Sequence, residues 1–312
     1  MLSLRRGRVT AILEEHDGLV RLEVDGAPCV AYPRLTGPVV VGDDVVVNVQ
    51  ARELELGSGG FDVLHVNLTR GLDLGVEDGA HVMKLPYTSL QFARRHGEED
   101  LELPASLDGL PVVACSLHSQ VAPACVGLRG LRVAYVQLEG GALPVELSDS
   151  LRELRREGLI ETTIGSGACF GGEVDCVNVY SALVVARALG AQAVVCAIGP
   201  GVVGTGTRLG HGGMAAAVAI AAARALGGRP VLAVRVSERD ARERHRGVSH
   251  HSEAILSLSG DAAVVASEAD AAGWREACDG LTLSHMGRGP DEDPAFFAAA
   301  YAAGVRARTL LA

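Results

Sequence analysis

Aromatic side chains are scarce in this chain, which has one Trp, five Tyr and five Phe among 312 residues. A core with so few rings must be filled by small aliphatic residues, which lets helices and sheets pack closely. The chain also lacks an excess of basic residues, because its net charge is −10. An acidic chain is repelled by phosphate backbones, so nucleic-acid binding is disfavoured and the chain is expected to be soluble.

Paired cysteines and long apolar runs are also absent. Seven Cys are scattered without CxxC spacing, which is typical of reduced thiols in a cytosolic protein. The N-terminal stretch MLSLRRGRVTAILEEHDG is too charged for a secretory signal peptide. The apolar run at 215–223 is shorter than a bilayer-spanning helix and predicts a buried one. These features predict a cytoplasmic protein with no membrane partner.

Residues 1–80 have the pattern of a small antiparallel β-barrel. Short strands alternate with polar turns, and Asp25-Gly26 is a strong signal for a two-residue hairpin. The valine-rich segment 39–49 predicts a further hairpin, and 61–66 predicts another strand. The charged segment 81–109 is interpreted as a linker to a second domain.

Residues 110–312 alternate between apolar strands and helices. This order predicts a mostly parallel sheet with helices on both faces, which is a three-layer α/β/α, Rossmann-like domain. The predicted strands are 111–116, 131–137, 160–164, 193–198, 230–237, 262–267 and 281–284. The predicted helices are 145–157, 174–189, 214–226, 252–258, 269–278 and 294–304.

A glycine-rich loop, GPGVVGTGTRLGHGG at 199–213, follows one of these strands and opens an Ala-rich helix. Free N–H groups and the positive end of the helix dipole at such a point favour an anion. The spacing matches neither a P-loop nor a dinucleotide fingerprint, so a tight turn with glycines for packing stays an alternative. The predicted ligand-binding residues of this loop are Gly199, Gly201, Gly204, Thr205, Gly206 and Thr207.

Ligands of open α/β sheets bind outside the carboxyl ends of the strands, and most of the predicted strands end in Gly, His, Arg, Ser or acidic residues. The imidazoles predicted to serve proton transfer or metal binding are those of His118, His250, His251 and His285. Ser249 is a predicted N-cap, which places the His-His pair in the first turn of a helix, where imidazole is kept neutral. The predicted charge partners of an anion are Arg244, Arg246 and Arg288.

Two further chemistries stay open for these residues. Three imidazoles, or two with Glu173, would satisfy zinc or another borderline metal, although each single His is more often a packed residue. Cys169 ends a glycine-rich strand just before a predicted helix, a position that lowers a thiol pKa and makes it a candidate nucleophile with a His as base. A simply buried Cys is the alternative.

Several segments together resemble a bacterial family catalogued as a domain of unknown function, numbered in the three-thousand-eight-hundreds. The segments are LGSGGFDVLHVNL at 56–68, HVMKLPYTSLQ at 81–91, GPGVVGTGT at 199–207, RERHRGVSHHS at 242–252 and SHMGRGPDEDPAFF at 284–297. This resemblance implies a bacterial cytosolic protein and transfers no catalytic residue. The order of strand, Gly/Thr loop, helix and strand is also similar to the B components of glycine and betaine reductases. There a selenocysteine or cysteine occupies a comparable loop, whereas this loop has no Cys, which argues against reductase chemistry.

These observations favour an enzyme that acts on a small anionic or phosphorylated metabolite at the carboxyl ends of the strands. The alternative is a non-catalytic ligand-sensing or scaffold protein whose N-terminal barrel binds a protein or nucleic-acid partner. The Ala-rich helical surface is compatible with a homodimer. The sequence selects no particular cofactor or metal.

Overall fold

The protein is described by a computed structural model over residues 2–56 and 59–311, which divides into two compact units between Arg95 and His96. The first unit is built on a closed five-stranded barrel, as the sequence predicts, with strand order β1-β2-β3-β5-β4. Its elements are β1 (Leu4–His16), β2 (Leu19–Val24), β3 (Ala27–Ala31), α1 (Pro33–Thr36), β4 (Asp44–Asn48), α2 (Gln50–Glu53), β5 (Asp62–Asn67), β6 (Val82–Lys84) and β7 (Phe92–Arg94).

The predicted turn at Asp25-Gly26 joins β2 to β3, and both residues have positive φ, 50° and 78°. Two consecutive positive φ values give a type I′ turn, whose twist matches an antiparallel hairpin. The barrel is antiparallel except where β3 pairs with β5 in parallel. The hairpin predicted over 39–49 is wrong, since only β4 forms there. The Asp43 carboxylate instead accepts the N–H of Val40 and closes a local turn.

The second unit contains a seven-stranded sheet in which every pairing is parallel, so the predicted α/β class is confirmed. The strand order is β11-β10-β9-β12-β8-β13-β16. The strands of this unit are β8 (Pro111–Cys115), β9 (Val133–Leu138), β10 (Thr162–Ser166), β11 (Val174–Cys176), β12 (Ala193–Ile198), β13 (Arg229–Ala233), β14 (Val236–Ser237), β15 (Gly247–Val248) and β16 (Val264–Val265), with β14 and β15 forming a separate pair. The helices are α3 (Gly97–Asp100), α4 (Val121–Gly127), α5 (Asp149–Arg156), α6 (Val179–Ala188), α7 (Ala215–Ala225), α8 (His250–Ser259), α9 (Trp274–Ala277) and α10 (Pro294–Thr309).

Successive residues of the central strands point to opposite faces of the sheet, and each face has its own core. Val113 and Val195 pack with residues of α4, α5 and α10 on one face. Val112 and Val194 pack with residues of α6 and α7 on the other. A strand buried on both sides must be apolar at every position, which explains the uninterrupted run that predicted β12. None of the helices in the described ranges combines the length and apolar character needed to traverse a bilayer.

The sequence pattern misplaced several shorter elements. The helix predicted at 174–189 begins as the edge strand β11, and residues 281–284 form no strand in the part of the chain described. Helix α4 was not predicted, because its run VAPACVG is buried throughout and shows no amphipathic period. Ser148 does not lie inside the helix predicted at 145–157 but caps α5, accepting the N–H of Leu151.

The connections of the sheet create two crevices at its carboxyl edge. From β8 the chain crosses β12 to reach β9, whereas from β13 it leaves in the opposite direction to β16. Neighbouring strands whose connections diverge leave a gap between their outgoing loops, where ligands bind in open α/β sheets. The carboxyl ends of β8 and β13 form one such gap, and those of β9 and β12 form the other.

Candidate functional site

Four imidazoles lie in contact beyond the carboxyl ends of β12 and β13. His211 stacks on His251, with ring centroids 3.6 Å apart and planes inclined by 9°. His245 and His250 complete the group, with centroids 4.8 Å from each other and 4.9 Å and 4.5 Å from that of His251. We call these four residues the imidazole cluster. The predicted pair His250 and His251 is therefore joined by two histidines that were not among the predicted site residues.

Local structure fixes the rings of this cluster. Ser249 caps α8 as predicted, because its Oγ accepts the N–H of His251. The same oxygen lies 2.7 Å from Nδ1 of His245. Nε2 of His211 lies 3.2 Å from the carbonyl oxygen of Arg208, a contact in which Nε2 must donate. Nδ1 of His211 and Nε2 of His250 are buried and have no hydrogen-bond partner among the described residues.

Burial keeps the cluster neutral. Burial lowers the pKa of His245 to about 3, and the charges of Arg235 and Arg242 lower it further. Burial also lowers the pKa of His251, together with the neighbouring imidazole of His211 and the charge of Arg235. The pKa values of His211 and His250 are lowered mainly by the same desolvation. Neutral imidazole is the form that accepts a proton or binds a metal.

A buried ion-pair network adjoins the cluster. The guanidinium of Arg235 is 2% exposed and lies 3.1 Å from the carboxylate of Asp240, which is 3% exposed. Nη1 of Arg235 also lies 3.4 Å from Nδ1 of His251. Burial alone would raise the pKa of Asp240, but hydrogen bonds from Arg242 and the charges of Arg242 and Arg235 hold that pKa far below its usual value. Burial lowers the pKa of Arg235 to about 10 against the opposing effect of Asp240.

His285 and Arg288 belong to the same edge of the sheet. His285 stacks on Phe296 with centroids 3.7 Å apart, and its Nδ1 lies 3.1 Å from Oγ of Ser119, which follows β8. Burial lowers the pKa of His285 to about 3, and the charges of Arg235 and Arg288 add to that effect. Arg288 donates to Asp293, the N-cap residue of α10, whose side chain makes no capping bond to that helix.

The glycine-rich loop runs along the cluster. Gly204 forms an antiparallel bridge with His211, so the end of the loop folds back on its middle. A Cβ added at Gly206 would lie 3.6 Å from the guanidinium of Arg244. The Thr205 and Thr207 hydroxyls are 2.9 Å apart and bond within the loop. Gly201 and Gly206 have positive φ.

Other glycines of this edge permit close approach of two backbones. A Cβ at Gly199 would lie 2.1 Å from the carbonyl oxygen of Ala142. The packing role that the sequence left open is therefore present at Gly199, whatever the loop binds.

The charge partners predicted for an anion differ in how they are used. Arg246 donates to the backbone carbonyl of Asp240, and Arg288 is paired with Asp293. Arg244 is exposed, and its guanidinium makes no hydrogen bond or ion pair within residues 2–56 and 59–311. Burial is the main cause of the lowered pKa of His250, and the charge of Arg244 lowers that pKa further.

His118 makes its contacts in the crevice between the ends of β9 and β12, and among the described residues it has no ring contact with the imidazole cluster. Its Nε2 is 2.6 Å from Oγ of Ser148, and its Nδ1 is 3.2 Å from the carbonyl oxygen of Ile198 at the end of β12. Burial lowers the pKa of His118 to about 4. The Ser148 hydroxyl is buried and caps α5, so this contact ties α5 to the sheet.

The two other predicted residues differ in their surroundings. Cys169 is completely buried near Tyr135, whose hydroxyl lies 3.4 Å from Nδ1 of His118. The carboxylate of Glu173 pairs with Arg155 at 2.6 Å and accepts the N–H of Thr163 near the amino end of β10. Glu173 therefore lies at the opposite edge of the sheet from the imidazole cluster.

Sequence reasoning missed His211, His245, Arg235 and Asp240 as site residues. His211 directly precedes Gly212-Gly213, where the glycine-rich loop leads into the helix. This position could have identified it as a candidate site residue. Arg235 was assigned to the interior of a strand predicted over 230–237, whereas β13 ends at Ala233. Because β13 ends two residues before Arg235, that residue belongs to the carboxyl edge of the sheet.

The fold and this edge define a two-part α/β protein with neutral imidazoles and guanidiniums at the carboxyl ends of a parallel sheet. Residues 28–273 match the family described as "Protein of unknown function (DUF3866)", so the chain belongs to that family and the resemblance is confirmed. The matched region contains all four residues of the imidazole cluster and ends before His285. A search of the curated proteins finds no match.

Proposed function

We propose that this protein is an enzyme acting on a small anionic metabolite, such as a phosphate ester or a carboxylate, at the carboxyl ends of β12 and β13. The observation that carries the proposal is the position of Arg244. Its exposed guanidinium lies beside the loop at Gly206, next to the imidazole cluster, and is not neutralised by any carboxylate within the described residues. An unpaired guanidinium beside a glycine-rich backbone suits a ligand oxyanion.

The imidazoles provide groups for proton transfer, which an enzyme needs and a protein that only binds a ligand does not. Nε2 of His250 and Nε2 of His285 are buried without a hydrogen-bond partner among the described residues. A neutral imidazole nitrogen in this state can accept a proton from a bound substrate. The charge of Arg244 lowers the pKa of His250, second to the effect of burial. An anion bound at Arg244 would offset that charge and restore the basicity of His250, which makes His250 the favoured proton acceptor. His285 is the second, beside Arg288.

We further propose that the protein is located in the bacterial cytoplasm and forms a homodimer. All seven cysteines are buried, and within the described residues none of them forms a disulfide. This supports a reducing compartment and hence the cytoplasm of a bacterium. Val218 on α7 is 52% exposed and Tyr180 on α6 is 45% exposed. These apolar residues support a homodimer through the outer faces of the two helices. Sedimentation of the full chain measures this directly.

The test is a thermal-shift screen of phosphate esters, carboxylates and sulfate esters, followed by turnover assays on each compound that raises the Tm. The variant Arg244→Gln should lose the shift. The matched control is Arg224→Gln, because Arg224 is exposed in the last turn of α7, which starts at the carboxyl edge and returns toward the other. A shift that survives in Arg244→Gln would contradict the proposed site.

Turnover assays then distinguish an enzyme from a ligand-sensing protein. A compound that binds through Arg244 and is converted supports the enzyme. A compound that binds through Arg244 but is recovered unchanged, both with wild type and with His250→Gln, identifies a ligand-sensing protein instead.

A further inference from the structure

Three of the four imidazoles stand close enough together to share one ion. The ligand nitrogens of His245, His250 and His251 all lie within 4.8 Å of one another. In a tetrahedral zinc site, with Zn–N distances of about 2.0–2.1 Å, two nitrogens are about 3.3 Å apart. The three nitrogens must therefore move together by up to about 1.5 Å to share one metal.

From this geometry we propose that His245, His250 and His251 form a binding site for a divalent transition-metal ion of borderline softness, such as Zn²⁺. Nothing in the family description assigns such a site. Metal binding stands on the imidazoles alone. Its catalytic use rests on the proposed function, in which His285 then accepts the proton, because Nε2 of His250 is occupied by the ion.

The ligand set is held by the start of α8. His250 and His251 are its first two residues, and Ser249 is its N-cap. Oγ of Ser249 lies 2.7 Å from Nδ1 of His245, which leaves Nε2 of that ring as the metal-binding nitrogen. A hydrogen bond to the far nitrogen of a histidine is the usual means of orienting a metal ligand.

His250 provides a second, independent observation. Its Nε2 is buried and has no hydrogen-bond partner among the described residues. Buried polar atoms without partners are uncommon and call for an explanation, such as an ion. We expect His251 to be the weakest of the three ligands. Nη1 of Arg235 lies 3.4 Å from its Nδ1, so a metal must displace that contact or bind through the other nitrogen of the ring.

The site selects an anionic co-ligand. All three ligands are neutral, so a bound divalent ion keeps its full charge, and the guanidinium of Arg244 acts on the same imidazole, that of His250. The charge of a second guanidinium, that of Arg235, is offset by the carboxylate of Asp240. An oxygen anion at the open fourth position, from hydroxide or from a carboxylate or phosphate group of the substrate, balances this charge.

The experiment uses the untagged full chain, freed of metal with a chelator. Co²⁺ is titrated in and followed by its visible absorption, and Zn²⁺ is then added to displace it. We expect one equivalent of Co²⁺ with the intense absorption of four-coordination, displaced by Zn²⁺. His250→Gln and His245→Asn should each weaken binding by at least tenfold, and His251→Gln by less. The matched control His81→Gln removes an exposed histidine of the first unit and should leave the affinity unchanged.

Circular dichroism checks that each variant is folded. Two ligand variants are used so that the test remains possible if one of them misfolds. Absence of saturable binding by the wild-type chain overturns the proposal. Equal affinity of wild type, His250→Gln and His245→Asn overturns it as well.

Failure here is distinguishable from failure of the proposed function. If the metal-free chain still shows an anion-dependent rise in Tm that Arg244→Gln abolishes, the proposed binding site stands and the metal site falls. If metal binds to the three imidazoles but no anion binds, the metal site stands and the proposed function falls.

Discussion

The ring of His211 lies flat on that of His251, with centroids 3.6 Å apart and an interplanar angle of 9°. Two imidazoles can stack this closely only while at least one is neutral, since two imidazolium charges would repel each other at that distance. The stack joins the end of the glycine-rich loop to the first turn of α8, which are 40 residues apart in the chain.

This stack stabilises the fold. We expect His211→Ala to lower the free energy of unfolding by about 2 kcal/mol, from the lost ring contact and the lost hydrogen bond to the carbonyl of Arg208. Urea denaturation of the metal-free chain measures the change. His81→Ala, at an exposed position, should change it by less than about 0.5 kcal/mol. Equal effects of the two substitutions would show that the stack contributes nothing.

The buried pair of Arg235 and Asp240 gives a second prediction. Asp240→Asn leaves the guanidinium of Arg235 buried without its counter-charge, so we expect a loss of about 3 kcal/mol or more in unfolding free energy. Arg242 contacts the same carboxylate but is 39% exposed. Arg242→Gln should therefore cost about 1 kcal/mol or less. Chemical denaturation tests both, and a larger loss for Arg242→Gln would contradict the burial of the first pair.

Stability should depend on pH through His118. Its pKa is about 4 in the folded chain and 6.5 as an ordinary histidine, so the unfolded state binds the proton first as the pH falls. The contribution of neutral His118 is complete above pH 6.5 and is lost progressively toward pH 4.

The variant His118→Gln isolates this group from the other histidines. Its destabilisation relative to wild type should be smaller at pH 5 than at pH 7, by about 1–2 kcal/mol. Urea unfolding at the two pH values gives the difference. A destabilisation that is the same at both pH values, or larger at pH 5, would mean that His118 is not held neutral.

Contact between α4 and α10 gives a prediction that concerns only packing. A Cβ at Gly304 of α10 would lie 2.1 Å from the carbonyl oxygen of Ala124 in α4. Gly304→Ala should cost about 1–3 kcal/mol through overpacking, although alanine is the better helix former. Gly75→Ala is the control, because Gly75 is exposed with open space around it. A stabilised Gly304→Ala variant in thermal unfolding would show that the two helices do not meet this closely.

Particular residues show how much of the fold and of the candidate site could be predicted from the sequence. The run 193–198 predicted β12 at its observed ends, because a strand buried on both faces is apolar at each position. The Ser249 cap was predictable because capping is a local property of a few residues.

His211 was not predictable in the same way, since its place beside His251 depends on the bridge that folds the loop back at Gly204. Glu173 shows the opposite failure. It follows a strand end in the chain, yet the loop returns along β10 and leaves it beside Thr163. Periodicity assigns strands and edges, but it does not tell how far a loop travels before the next strand begins.

Anomalous diffraction at the zinc edge, from crystals of the untagged chain grown with zinc and phosphate, tests the assigned edge of the sheet most directly. We expect a single strong peak within bonding distance of nitrogens from His245, His250 and His251, with phosphate density between that peak and the guanidinium of Arg244. Zinc bound only at other histidines, together with phosphate remote from Arg244, would contradict the assignment of this edge as the site.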